Sequence, residues 1–154
     1  MAVQRIRIPK DKAGLVQSLV DFNEGVGPFQ TYADVMAFAA TVGANLNRRV
    51  LLDTVAKEPS PISVEVFISR GYDSLIKLLA VVANNDPNCL SPYETEAEAL
   101  RISIFEEYAN AGLEHLQNEL RGAVDYTERL LLVLSMERFQ DSSVGEDFDL
   151  TRFL

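Results

Sequence analysis

The opening run Val3-Gln4-Arg5-Ile6-Arg7-Ile8-Pro9 constrains the fold most, because it reads as a β-strand with no neighbour nearby in the chain. Gln4, Ile6 and Ile8 share one face, and Val3, Arg5 and Arg7 share the other. Pro9 lacks the N–H needed to continue a ladder and ends the run. A lone strand leaves backbone donors and acceptors unpaired along both edges. Antiparallel pairing with the same strand of a second copy is the simplest remedy and predicts a homodimer. Pairing within its own chain, with the arginines in water, is the alternative.

Two helices are expected next. Leu15, Leu19 and Phe22, flanked by Val16 and Val20, recur at helical spacing from Asp11 to Phe22. Asn23 to Gln30 is a glycine-rich turn. Thr31 then offers an N-cap hydroxyl, with Asp34 three residues on as a weaker capping-box partner, opening a helix from Tyr32 to Leu46. That helix is apolar on more than one face, as expected at a dimer centre. Arg48 and Arg49 close it, where cations suit the helix dipole.

A strand alternating basic and aliphatic residues ahead of two helices resembles a ribbon-helix-helix DNA-binding unit. In such units a two-stranded ribbon enters the major groove. The resemblance implies that Arg5 and Arg7 face base edges, with Lys10 and Lys12 beside them. The free amides at the Thr31 helix start suit a phosphate, and Arg48 and Arg49 complete the candidate DNA contacts. The turn from Asn23 to Gln30 is longer than such units usually have. Charge is also divided: residues 1–49 hold six Lys and Arg against four Asp and Glu, and the remainder holds eight against nineteen. A net charge of −9 argues against a general nucleic-acid binder, but the first segment is electrostatically distinct.

Residues Val50 to Glu58 form a connector. Ser60-Pro61 reads as an N-cap followed by proline at the first helical position. Ile62 to Ile68 alternates like a strand, but Val64, Phe67, Ile68, Gly71, Tyr72 and Leu75 make a longer helical stripe. Helix is the reading taken, broken near Gly71. Asp73 caps a further helix through Leu75, Leu78, Leu79 and Val82, expected to be buried nearly all round. Ser91-Pro92-Tyr93-Glu94 opens a long helix to about Leu120. A last helix runs from Tyr126 to Arg138 around Leu130 to Leu134, and an acidic tail follows. The architecture expected is mainly α: a short N-terminal strand, then a helical bundle. It divides into a strand–helix–helix module (1–49), a helical body (50–139) and an acidic tail (140–154).

Catalytic chemistry finds few residues to work with. His115 and Cys89 each stand alone, so no zinc site and no Cys–His or Ser–His–Asp set is expected. Cys89 lies in a loop with nothing basic beside it to activate it. Glu94, Glu96, Glu98, Glu106, Glu107, Glu114 and Glu119 read as the wet face of a long helix. Phosphate-cradling GxxxxGK[ST] and GxGxxG motifs do not occur. No enzyme, metal or cofactor is therefore expected. A start lacking an apolar run, apolar stretches too short to span a bilayer, and one cysteine point to a cytoplasmic protein without membrane attachment.

Three longer strings carry a second resemblance. They are Arg5-Ile6-Arg7-Ile8-Pro9-Lys10-Asp11-Lys12, the run Gly27 to Ala40 (GPFQTYADVMAFAA), and Ile104 to Glu114 (IFEEYANAGLE). Together they resemble a small bacterial family associated with DNA phosphorothioation gene clusters, phosphorothioation-associated protein 4, over most of the chain to about Arg138. The resemblance implies a place beside DNA backbone sulfur modification and its linked restriction, and supplies no catalytic residues. Such systems also include a small non-enzymatic DNA-binding component whose opening looks like a strand followed by two helices. The expectation is a non-enzymatic accessory protein of such a system, touching DNA through its N-terminal strand. The alternative is a protein-interaction adaptor that binds no DNA and meets a basic partner with its acidic surface.

Overall fold

In a computed structural model, which describes residues 4–20, 27–91 and 94–145 with side chains up to 136, the opening strand has a partner in its own chain. Strand β1 (Arg5–Ile6) pairs antiparallel with β2 (Ile62–Ser63), placing Arg5 opposite Ser63 and Ile6 opposite Ile62. Pairing continues on either side: Val64 N donates to Gln4 O (3.1 Å), Ala56 N to Ile8 O (2.8 Å) and Lys10 N to Thr54 O (2.8 Å). The connector is thus the strand's second support. Of the two pairings the sequence left open, the one within the chain is present along this edge of the strand. Ile6 and Ile8 are fully buried, so the aliphatic face does what its alternation predicted. Val3 lies outside the described residues.

Among those residues the fold is mainly α, with six α-helices: α1 (Ala13–Ser18), α2 (Tyr32–Asn45), α3 (Val64–Ser69), α4 (Asp73–Asn84), α5 (Thr95–Glu119) and α6 (Tyr126–Gly145). The first helix is shorter than its periodicity suggests: a 3-10 turn over Lys10–Lys12 leads into α1, which ends at Ser18. The expected end of that helix at Phe22 and the turn residues 23–26 lie outside the described residues. α2 matches its expectation closely and keeps its capping box, Thr31 Oγ1 accepting from Asp34 N and Asp34 Oδ2 accepting from Thr31 N, both 3.2 Å. Its apolar faces are buried inside one chain, with Val35, Met36, Ala39 and Ala40 essentially inaccessible.

Further on, the helix expected from Ser60-Pro61 begins at Val64 with Ser63 as its N-cap, because Ile62 and Ser63 are taken by the strand pairing. Both rival readings of Ile62 to Ile68 thus hold, in succession. Gly71 breaks the chain as expected, at φ +88, a conformation in which a Cβ is strained. The helix after it is not buried all round. Ile76, Leu79 and Ala80 face inward, whereas Leu78 and Val82 are more than half exposed. Cys89, expected in a loop, lies in a 3-10 turn over Pro87–Leu90 and is buried at 3% exposure. Pro92 and Tyr93, part of the expected helix start, lie outside the described residues.

The residues fall into two compact units, 1–118 and 119–154. The strand–helix–helix segment belongs to the first with most of the helical body. Within that unit α5 is the axis: Ile104, Phe105, Ala109, Leu113 and Leu116 are at most 2% exposed. Phe67 of α3 meets Phe105 edge-on, ring centroids 5.5 Å apart. α2 and α5 cross backbone to backbone at two glycines. A Cβ on Gly43 would collide with the carbonyl of Tyr108, and one on Gly112 with that of Ala39. In the second unit, α6 extends beyond Arg138 to Gly145, so the start of the expected acidic tail is helical. Residues 146–154 lie outside the described residues.

Candidate functional site

The basic opening segment and the acidic long helix, read separately from sequence, meet in the structure. Glu106, Asn110 and Glu114 follow one another at four-residue steps, so they form one stripe along α5. Each meets a residue that the sequence reading offered to DNA. Glu106, 2% exposed, holds Arg7 by a fork: Arg7 Nε to Oε2 and Nη2 to Oε1, both 2.9 Å, with the Arg7 backbone N donating to Oε2 at 2.7 Å. Such a bidentate charge-assisted pair is among the stronger polar contacts a protein makes. The Glu106 hydrogen bond raises the Arg7 pKa against an opposing effect of burial. Glu106 is therefore no part of a wet face.

Lys12 is likewise inside, 4% exposed, donating from Nζ to Asn110 Oδ1 (2.6 Å) with Asp11 Oδ2 at 3.2 Å. Asn110 turns its Nδ2 to the carbonyls of Val50 and Leu51, both 3.2 Å, and so fixes the connector against α5. Arg48 reaches Glu114 (3.5 Å), and Arg49 reaches Glu107 (3.7 Å) with its guanidinium 5.9 Å from the Tyr108 ring centroid. Thr31 is occupied as the cap of α2. Of the seven candidate DNA contacts, Arg5 and Lys10 are exposed and make no ion pair among the described residues. The structure therefore does not gather the seven into one basic face. It distributes five of them among internal partners.

A second cluster was not anticipated. Asp34, which completes the α2 capping box, also accepts from Arg70 Nε (2.8 Å) and Nη2 (2.7 Å) and from the Tyr72 hydroxyl (2.6 Å). Burial alone would raise the Asp34 pKa, but hydrogen bonds from Arg70, Tyr72 and Thr31, with the Arg70 charge, outweigh it and hold it below the usual range. Burial, then the bond to Asp34, pushes the Tyr72 phenol up. This node edges an open groove of about 530 Å³ lined by Phe29, Phe38, Tyr72 and Leu75. Only the Thr31–Asp34 pairing was visible beforehand, because Arg70 and Tyr72 reach Asp34 across 36 and 38 residues. The signal for the α5 stripe was the four-residue spacing of Glu106, Asn110 and Glu114, hidden by the abundance of glutamate around it.

Among the described residues no group of three or more His, Cys, Asp or Glu side chains is placed to hold a metal ion. No helix among them is long and apolar enough to cross a membrane. The buried polar chemistry is of a holding kind: Arg101, the remaining buried cation, donates to the carbonyls of Cys89 (2.7 Å) and Ser91 (3.1 Å). Fold and site together define a mainly α protein whose basic opening segment is locked onto a polar stripe of its central helix. The chain belongs to the family described as DNA sulphur modification system-associated protein 4, whose model matches residues 5–153. The match extends past Arg138, where the resemblance seen in the sequence stopped. No curated protein and no solved structure matches the chain.

Proposed function

We propose that this protein is a non-enzymatic accessory component of a DNA sulphur modification system and acts through contacts with other proteins of that system. The supporting observation is the fate of the basic opening segment. Arg7, Lys12, Arg48 and Arg49 answer polar or acidic groups on α5, so four of the six cations that suggested a DNA face have partners within the chain, Lys12 buried and the three arginines about half exposed. The chain as a whole is acidic, with a net charge of −9. Phosphate binding needs clustered, available cations. Affinity purification of the tagged full-length protein from cells carrying its native gene cluster tests the proposal. Stoichiometric recovery of another component after nuclease treatment is expected, and recovery that depends on intact DNA would defeat it.

A second reading rests on Arg5 and Lys10, exposed at either end of the opening strand. Through them the protein would touch DNA directly, weakly and with little sequence preference. A salt-dependent anisotropy titration against phosphorothioated and unmodified duplexes, with Arg5→Ala/Lys10→Ala alongside, separates the two readings. The adaptor reading expects no binding above the double variant at low salt.

A further inference from the structure

The groove that Asp34 edges is walled by side chains from three places in the chain. Phe29 precedes α2, Ala37, Phe38 and Thr41 lie along one side of α2, and Tyr72 and Leu75 stand at the start of α4. The Phe29 and Phe38 rings are tilted against each other with centroids 5.3 Å apart, and both stay partly exposed. The apolar surface does not stop at the groove. Leu75, Leu78 and Val82 recur at helical spacing and share one side of α4, and Leu78 and Val82 are more than half exposed. From Leu75 to Val82 that side runs roughly 10 Å along the helix. Apolar surface left open beside a recess is the character of a protein-binding face.

Charge narrows what fits there. Asp34 is the one charged side chain in the groove wall, and each of its oxygens already accepts twice. Oδ1 takes Arg70 Nε and the Tyr72 hydroxyl, and Oδ2 takes Arg70 Nη2 and Thr31 N. A carboxylate so occupied has nothing left for an incoming lysine or arginine, although the chain as a whole is acidic. Arg70 differs. A guanidinium has five N–H donors, and Asp34 takes two of them, neither from Nη1. The fork holds this side chain in place while leaving it 35% exposed. Beside the apolar wall the node therefore offers a fixed cationic edge and no free carboxylate. We propose that this groove docks a short segment of a partner protein that carries large apolar side chains next to an aspartate or glutamate. One apolar side chain enters against Phe29 and Phe38, a second lies on Leu78 and Val82, and the carboxylate accepts from Arg70 Nη1. The proposal rests on the adaptor reading and names the chemistry of its partner.

Fluorescence anisotropy of the full-length protein tests it, with a labelled peptide of alanine and serine that carries two leucines four residues apart and an aspartate beside the first. Thr41→Trp, which fills the groove from an exposed helix position, should weaken binding about tenfold. Arg70→Lys keeps a cation for Asp34 but gives up the second edge. It should cost about threefold with this peptide and nothing when asparagine replaces the aspartate. Leu51→Gln, exposed and outside the groove wall, should leave binding within about twofold. Equal losses from Leu51→Gln and Leu78→Gln would show general adhesion to apolar surface and overturn the proposal. No peptide binding at all, or equal binding when lysine replaces the aspartate, would overturn it too. So would a dimer in sedimentation velocity that Thr41→Trp abolishes, because the groove would then belong to a second copy. Thermal melts check that each variant is folded, as expected for substitutions at exposed positions. The same variants in the affinity purification separate the two levels. Partner recovery that survives Thr41→Trp removes the groove and leaves the adaptor reading standing. Recovery lost with Thr41→Trp and kept with Leu51→Gln supports the groove, and recovery by no form of the protein removes both.

Discussion

The two longest helices treat their side chains in opposite ways. α5 buries an arginine, a glutamate and an asparagine, each with hydrogen-bond partners. α6 holds the chain's densest run of leucine yet leaves Leu131, Leu132, Leu134 and Met136 between 44% and 61% exposed, with Leu130 buried. The two helices are nearly equal in overall hydrophobicity, so composition does not separate these roles. α5 is enclosed because small residues at Gly112, Ala109 and Ala111 let neighbouring backbone approach, and the polar groups then enclosed are matched by the opening segment and by loop carbonyls. Burial thus follows where an element is packed more than how hydrophobic it is.

The sharpest attempt to break this contrast is Gly112→Val. Its side chain would drive into the Ala39 carbonyl, where no flexible group can yield. A loss of more than about 3 kcal/mol is expected in urea unfolding, enough to leave little folded protein. Next comes Glu106→Gln, which keeps the shape but removes the charge that holds Arg7 from three directions. A cost of about 2 kcal/mol is expected, because one partner of the fork is itself half exposed. If Glu106→Gln were neutral, α5 would not depend on the opening segment, and the case against a free basic face would weaken.

Asp34→Asn is expected to cost about 1 kcal/mol, mainly from the capping box. It also changes the pH profile. The Asp34 pKa is lowered by folding, so its contribution is fully present above the unfolded aspartate value and is lost as pH falls through the folded value. The acid limb below about pH 4 should therefore be shallower in the variant. Thermal melts across that range check this. The smallest effect is expected from Leu131→Gln or Leu134→Gln in α6, within about 0.5 kcal/mol of the parent. A larger cost that grows with protein concentration would show that this face is covered by a second copy in solution.

Much of the local structure was legible. The Thr31–Asp34 cap, the break at Gly71, the start of α6 at Tyr126 and the mainly α architecture all follow from signals within a few residues. Errors arose where a distant partner decided. Ile62 and Ser63 became strand because β1 lies beside them, which moved the start of α3 from Ser60-Pro61 to Val64. Leu78 and Val82 stayed exposed because the neighbours of α4 cover only one side of it. The seven candidate DNA contacts were identified correctly as cations or a helix cap. Their availability could not be, since Arg7 and Glu106 lie 99 residues apart and Lys12 and Asn110 lie 98 apart.

By itself the sequence determined most of the helices, the Thr31 cap of α2, the aliphatic face of the opening strand and the surplus of positive charge around it, because each depends on near neighbours in the chain. Tertiary structure alone decided what that charge answers. The stripe on α5 exists as a partner only after the chain has brought residues 7 and 12 to residues 106 and 110. A charge enclosed at such a contact needs a partner far more than one left in water does.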